Sequence, residues 1–258
     1  MDATAKISYP STGHTSCLQV EDHSFWFKHR NECISALIGR FFASGRFVDV
    51  GGGNGFVARK LVDDGLDVIL VEPGADGARH ARELRGLENV IHGTLLDAMP
   101  LLGEAGAIGA FDVVEHVEDD AAFIDQVADA LSERGLFFAT VPAYQWLWSS
   151  ADDEAGHYRR YTSRSFTDLL STRFDMLFSS YFFAPLIPPV AISRALPYRL
   201  GRRGARDDES AAREHGTSNG MATRAMSAML RHEVRRISTI KPLKFGSSLI
   251  VAARKKAI

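Results

Sequence analysis

Cysteine is scarce in this chain. Of its 258 residues only Cys17 and Cys33 are cysteines. Neither belongs to a C-x-x-C pair, so no disulfide framework and no thiolate zinc site is expected, and no metal is assigned. Two ordinary thiols suit a reducing compartment, and a cytoplasmic protein is expected. Long apolar runs are missing too. No stretch reaches the roughly 18 apolar residues a spanning helix needs. The nearest, 181–200, is broken by Pro185, Pro188, Pro189, Arg194 and Pro197. The N-terminal residues lack the charged-then-apolar layout of a secretory signal. Charge of one sign is also absent. The formal net charge is -2, which exerts no general pull on nucleic acid, so no such partner is expected.

What remains is an ordinary globular composition, 45% hydrophobic and 24% charged. The length suits one α/β domain with an extra flap. Residues 1–20 are polar, contain Pro10 and Gly13, and are expected to be flexible; a single domain then covers 21–258. A helix is expected over 25–42, then strands at 47–50, 68–71 and 89–91, with helices at 56–64 and 75–85 between them. A loop rich in glycine and alanine leads to a fourth strand at 111–114. Asp119 or Asp120 caps a helix reaching 132, and Gly135 opens a fifth strand at 136–141. Short strands alternating with helices imply βαβ units and a doubly wound, mostly parallel sheet. The strands are apolar throughout, as strands buried on both faces should be. Beyond 142 the expectation is a long loop (143–162), a helix at 165–172, a strand at 176–183, a proline-rich apolar segment to 200, a charged linker (201–220), a basic helix (221–237) and a last strand at 247–252.

The strongest local signal is Val48-Asp49-Val50-Gly51-Gly52-Gly53-Asn54-Gly55, between the first strand and the first helix of the sheet. Open α/β sheets bind ligands at the carboxyl ends of their strands, and glycines let the backbone approach a ligand closely. Two frames fit. Gly53, Gly55 and Ala58 approximate a dinucleotide fingerprint, which keeps a nucleotide-dependent oxidoreductase open. Asp49, Gly51, Gly53 and Gly55 give acid-x-G-x-G-x-G.

The second frame resembles motif I of class I S-adenosylmethionine-dependent methyltransferases, and the resemblance continues in order. Glu72 ends the second strand, where that family places an acid on the ribose hydroxyls. Leu96-Asp97 follows the third strand, where it places an acid near the adenine amino group. Phe111-Asp112-Val113-Val114-Glu115-His116-Val117 is similar to the family's motif after strand four. The segment 245–255 resembles its reversed last strand. The resemblance spans about residues 45–255 and implies a Rossmann-like, seven-stranded sheet with S-adenosylmethionine as cofactor. It assigns Asp49, Gly51, Gly53, Asn54, Gly55, Glu72, Pro73, Leu96, Asp97 and Glu115 to the cofactor; Arg30 is placed with them as a cation for a carboxylate or phosphate. Chemically the fit is sensible. A diol needs acceptors, and Glu72 offers two oxygens; the N–H groups opening the first helix suit a carboxylate. Two bland readings stay open: Glu72 as a turn cap and Asp97 as a surface acid.

Two further stretches are candidates for the acceptor pocket: 22–30, with Phe25-Trp26-Phe27, and 146–162, with Gly156-His157-Tyr158-Arg159-Arg160-Tyr161-Thr162. Both resemble a bacterial branch of the same superfamily, which implies the chemistry and not the acceptor. Trp26, Trp146, Trp148, Tyr158 and Tyr161 are candidates to exclude water or face a cation. Arg159 and Arg160 are candidates for an anionic group or for ion pairs with Asp152, Asp153 or Glu154. His116 is read as the base and His157 as the residue that orients the acceptor. His14, His80, His92, His215 and His232 are read as surface residues. The region at about 184–240 is read as a lid, with a dimer contact or a membrane-surface segment admitting a lipid-linked acceptor as alternatives. The function expected is methyl transfer to an oxygen or nitrogen of a small molecule, in specialised metabolism or glycan modification. A non-catalytic S-adenosylmethionine-binding protein is the other rival.

Overall fold

The computed structural model describes residue 8 and residues 13–201 and 221–257. The charged stretch at 202–220, with His215, lies outside the described residues, as do 1–7 and 9–12. In chain order the elements are α1 (Gly13–Glu21), α2 (Phe25–Phe41), β1 (Arg46–Val50), α3 (Phe56–Asp63), β2 (Asp67–Glu72), α4 (Ala75–Glu83), β3 (Val90–His92), α5 (Leu95–Leu102), β4 (Ala105–Phe111), α6 (Asp120–Ala130), β5 (Leu131–Pro142), α7 (Ser150–Ala155), α8 (Ser163–Leu170) and β6 (Phe174–Phe182). A proline-rich cap follows with two one-turn helices, α9 (Ile187–Val190) and α10 (Leu196–Arg199); the basic helix α11 (Met221–Ser238) and β7 (Ser248–Lys255) end the chain.

The seven strands form one sheet in the order β3-β2-β1-β4-β5-β7-β6. β7 runs antiparallel to both of its neighbours, and the pairs β3-β2-β1-β4-β5 are parallel. This is the expected seven-stranded sheet with its reversed last strand. Successive strand residues feed opposite faces. In β2, Val68 and Leu70 join a core under α2, α3 and α11, while Ile69 and Val71 join a second core under α5, α6 and α8. Because β1 pairs with β2 on one side and β4 on the other, the chain reverses its winding there. The crevice at the carboxyl ends of β1 and β4 is therefore the natural ligand site.

Five local expectations change. Residues 13–21 form α1, which carries buried His14 and Glu21, where flexibility was expected. The stretch before β4 contains α5, interrupted by Pro100. β4 itself is the run of glycine and alanine read as a loop, so Asp112 to His116 lie just past its end and not within it. Such residues favour strands weakly, but here bulk would be harmful. A Cβ on Gly109 would stand 2.5 Å from the Phe111 ring, and one on Gly106 3.2 Å from the Phe42 ring. The segment 143–162 is not all loop, because α7 lies inside it. The proline-rich cap is helical, its prolines falling in first turns, where a missing N–H costs nothing. Among the described residues, no helix is long and apolar enough to cross a membrane.

Candidate functional site

β1 ends in a turn whose backbone favours glycine. Gly51, Gly53 and Gly55 have φ of 67°, 55° and 82°, the left-handed region where a Cβ costs energy. A Cβ on Gly51 would stand 2.7 Å from Val113 Cγ2, so the loop also packs tightly against the turn after β4. Gly55 starts α3 with no side-chain cap. Asp49, buried beneath the loop, supplies the acceptor instead: its carboxyl takes the Ala58 N–H. Burial pushes Asp49 up to about 7, with Arg30 lowering it in part and Glu72 raising it further.

Glu72 ends β2 and is buried. One carboxylate oxygen accepts the Gly53 N–H at 2.8 Å and the other the Gly74 N–H at 2.6 Å. His14 Nε2 stands 3.5 Å away. Burial raises the Glu72 carboxyl, and these two N–H groups and His14 offset part of that. Each oxygen keeps a lone pair for a further donor. α1 lies across the loop, where Asn54 Nδ2 donates to the His14 carbonyl (2.8 Å) and to Glu21 (3.0 Å), and its Oδ1 meets His80 Nδ1 (3.0 Å). His14 and His80, read as surface residues, are both buried; His92 and His232 are exposed.

The other side of the crevice follows β4. Asp112, at φ 57°, turns the chain into a short 3-10 helix, Val114–His116. Arg30 from α2 clamps this turn, donating to the Phe111 carbonyl at 2.7 Å and pairing with Asp112 at 2.5 Å. Gly156, in the left-handed C-cap of α7, delivers His157 beside His116, their ring centroids 4.7 Å apart. Asp152 holds His157 Nδ1 at 2.8 Å and also pairs with Arg160 at 2.7 Å. Burial favours protonating Asp152, but the bonds from His157 and Arg160 outweigh it and hold the carboxyl at about 2. Burial and the neighbouring His157 push His116 down to about 4, so it is neutral at neutral pH. Burial drives Glu115 far up, and Asp112 adds to this.

These walls enclose a cavity of about 940 Å³, within the range of small-molecule sites. On its wall stand Trp26, Arg30, Asp49, Gly51, Gly53, Asn54, Glu72, Pro73, Leu96, Glu115, His116, His157 and Arg160. Gly55 is off the wall and packs on Leu87 and Ala81. Asp97 is exposed and turns back to cap its own helix, its carboxylate accepting from Thr94 N (2.9 Å) and Oγ1 (2.7 Å); Thr94, Leu95 and Leu96 form the wall there. Five expected pocket residues also lie elsewhere. Trp146 is exposed and stacks near Tyr144. Trp148 donates to Asp153. Tyr161 is core, its hydroxyl on Asp120. Arg159 pairs with Asp120, not with the acids of its own loop, and lies over Tyr158. A crowded loop can turn only some side chains inward; the others brace it from behind. Sequence reasoning missed His14, Cys17, Val20 and Glu21 of α1, and Leu186, Pro189, Val190 and Ser193 of the cap, all on the wall. Neither segment carries a motif, and only their folding back brings them there.

Comparisons with known proteins agree with this fold. The family model described as a methyltransferase domain matches residues 26–173. A probable S-adenosylmethionine-dependent methyltransferase of Mycolicibacterium smegmatis is 23% identical over 173 residues, 66% of this chain and 67% of that one. A SAM-dependent methyltransferase from Archaeoglobus fulgidus superposes with TM-score 0.60 at 15% identity, covering 93% of this chain and 99% of that one. Phosphoethanolamine N-methyltransferase 2 of Haemonchus contortus, solved with S-adenosyl-L-methionine, gives TM-score 0.58 at 16% identity over 99% of this chain and 59% of that one.

Proposed function

The chain belongs to the methyltransferase domain family and is an S-adenosylmethionine-dependent methyltransferase, and from that premise we propose that it methylates an oxygen or nitrogen of a small molecule. The family match sets the oxidoreductase alternative aside. The residues fit the cofactor. The space a Cβ would take at Gly53 is open, with only His14 Nδ1 near it at 3.9 Å, and Glu72 retains lone pairs at the end of β2. Bound there, S-adenosylmethionine supplies an electrophilic methyl group on a sulfonium.

The remaining roles belong to this chain. Glu72 receives the ribose hydroxyls, Pro73 and Leu96 flank the adenine, and the loop and Arg30 face the carboxylate end. Asp97 serves its helix cap and is dropped from the cofactor set. The acceptor lies between Trp26, Arg160 and the group Glu115, His116 and His157. That group is the single observation that carries this reading, because it gathers three donor side chains on the wall of the cavity. Alignment of the acceptor there is the main source of rate, worth up to about 7–11 kcal/mol in well-oriented reactions. His116, expected as the base, is a weak one, since a proton acceptor works best with a pKa near the operating pH. The cap of 184–199 is the lid. Acceptors of specialised metabolism or glycan type, a cytoplasmic setting and a homodimer complete the proposal.

The test incubates the protein with S-adenosylmethionine and metabolite pools and looks by mass spectrometry for acceptors that gain one methylene. Calorimetry in parallel should register S-adenosylmethionine and its demethylated product, and not NADH. Tight NADH binding without S-adenosylmethionine binding would sink the proposal.

A further inference from the structure

Glu115, His116 and His157 each offer one donor atom, and these atoms all lie within 4.8 Å of one another. We propose that they hold a divalent transition-metal cation, on which a hydroxyl oxygen of the acceptor binds; this rests on the acceptor site assigned above.

Three features of the trio point to a ligand. First, Glu115 is 1% exposed, and beyond its own backbone N–H neither carboxylate oxygen has a hydrogen-bond partner. A carboxyl buried without donors stays ionised only where a cation satisfies it. The two nearby cations are committed elsewhere, Arg30 to Asp112 and Arg160 to Asp152. With those pairs neutral, a cation among the trio balances Glu115. Second, both imidazoles are fixed from behind. His157 Nδ1 is held by the Asp152 carboxylate at 2.8 Å, and His116 donates from one ring nitrogen to the Gly156 carbonyl. Each ring is thereby set in the tautomer that leaves its second nitrogen a lone pair. A carboxylate or carbonyl behind each histidine is the usual support of a metal-bound imidazole. Third, the group lies on the cavity wall, so coordination positions left by three protein ligands face the space for the acceptor.

The donor set selects the ion. Two imidazoles and a carboxylate suit zinc, iron, cobalt, nickel or manganese better than magnesium or calcium, which prefer all-oxygen sites. Neighbouring ligands of a tetrahedral zinc-class ion stand about 3.3 Å apart, so closure brings the donor atoms up to about 1.5 Å nearer one another.

The chemistry balances without redox change. A hydroxyl coordinated to the cation becomes more acidic and releases its proton to water. The resulting oxygen anion forms a bond to the methyl carbon as the carbon–sulfur bond breaks, and that electron pair remains on sulfur. The cation ends as it began. This assigns the acceptor class to alcohols or phenols, favouring those with a second oxygen close enough to fill another open position.

The experiment uses the full chain stripped with a chelator and titrated with Co²⁺, read by visible absorption. The expected result is a d–d band saturating at one equivalent and displaced by Zn²⁺. The band should be lost in Glu115→Gln and His157→Ala and kept in His232→Ala. Asp152→Asn should retain it with affinity about 10- to 100-fold weaker, the usual effect of losing an outer support; this variant keeps the test valid if a ligand variant fails to fold. S-adenosylhomocysteine binding by calorimetry is measured on every sample. No saturable band in wild type, or an unchanged band in both ligand variants, overturns the cation site while S-adenosylhomocysteine binding leaves the methyltransferase reading standing. Failure of S-adenosylhomocysteine to bind wild type overturns that reading instead.

Discussion

Asp49 is the residue through which the cofactor loop should impose a pH dependence on stability. It is 1% exposed, and burial lifts its carboxyl from the ordinary 3.8 to about 7. Its surroundings are the Arg30 guanidinium, which lowers it, the Glu72 carboxyl, which raises it, and the Ala58 N–H that it accepts. The folded protein therefore holds this proton more tightly than the unfolded chain does. The stability so conferred is complete below pH 4 and is lost as the pH rises to about 7. Three pH units at about 1.4 kcal/mol each make the whole effect about 4 kcal/mol, of which about 2–3 falls between pH 5 and 8. Asp49→Asn resembles the protonated acid and keeps an oxygen for the Ala58 N–H, so it should remove this dependence. Urea unfolding of both proteins at pH 5, 6, 7 and 8 measures it. The variant should gain on wild type steadily with pH, and other titrating groups cancel in the difference. A stability difference that stays constant from pH 5 to 8 refutes the reasoning, because Asp49 would then be ionised throughout.

Three further outcomes are expected. Glu72→Gln should weaken S-adenosylhomocysteine binding by about 1.5–3 kcal/mol, the worth of hydrogen bonds to a charged group, and weaken an analogue without the ribose diol less; equal losses in calorimetry would make Glu72 only a brace for Gly53 and Gly74. Gly53→Val, at φ 55°, adds about 1–2 kcal/mol of backbone strain and a branched side chain facing His14, so cofactor binding should vanish; an unchanged affinity would place the cofactor elsewhere. Glu233 in α11 is buried, accepts the Phe183 and Ala184 N–H groups at 2.8 Å each and pairs with His29 at 2.9 Å. Glu233→Ala should cost about 3–5 kcal/mol, the scale for breaking a buried pair, and hydrogen exchange in 184–199 should quicken; unaltered exchange there would mean that Glu233 does not anchor the cap.

The sequence by itself determined most of the sheet and the glycine turn after β1. Strand and turn are local matters. Apolar runs at β1, β2 and β5 marked buried strands, and glycines at 51, 53 and 55 with an acid before them marked a tight turn. Glu72 was legible because it stands at the end of a strand next to that turn. Short-range patterns failed where long-range packing chose the outcome. The glycines and alanines of β4 look like a loop until the rings of Phe42, Phe47 and Phe111 take the volume their missing side chains leave. Nothing near α1 announces that His14 will cover Glu72, since the partners are 58 positions apart (72 − 14) and meet only because α1 crosses the loop. The segment 146–162 carried the right residues, but their directions were set by the caps of α7 and by Asp152 and Asp120, so His157 and Arg160 face the cavity while Trp146, Trp148 and Arg159 do not. The acceptor end is tertiary throughout. Glu115 and His116 follow one strand and His157 follows another, and whether they stand apart or together as one donor group is decided by the sheet pairing of β4 with β5 and by the turn at Gly156.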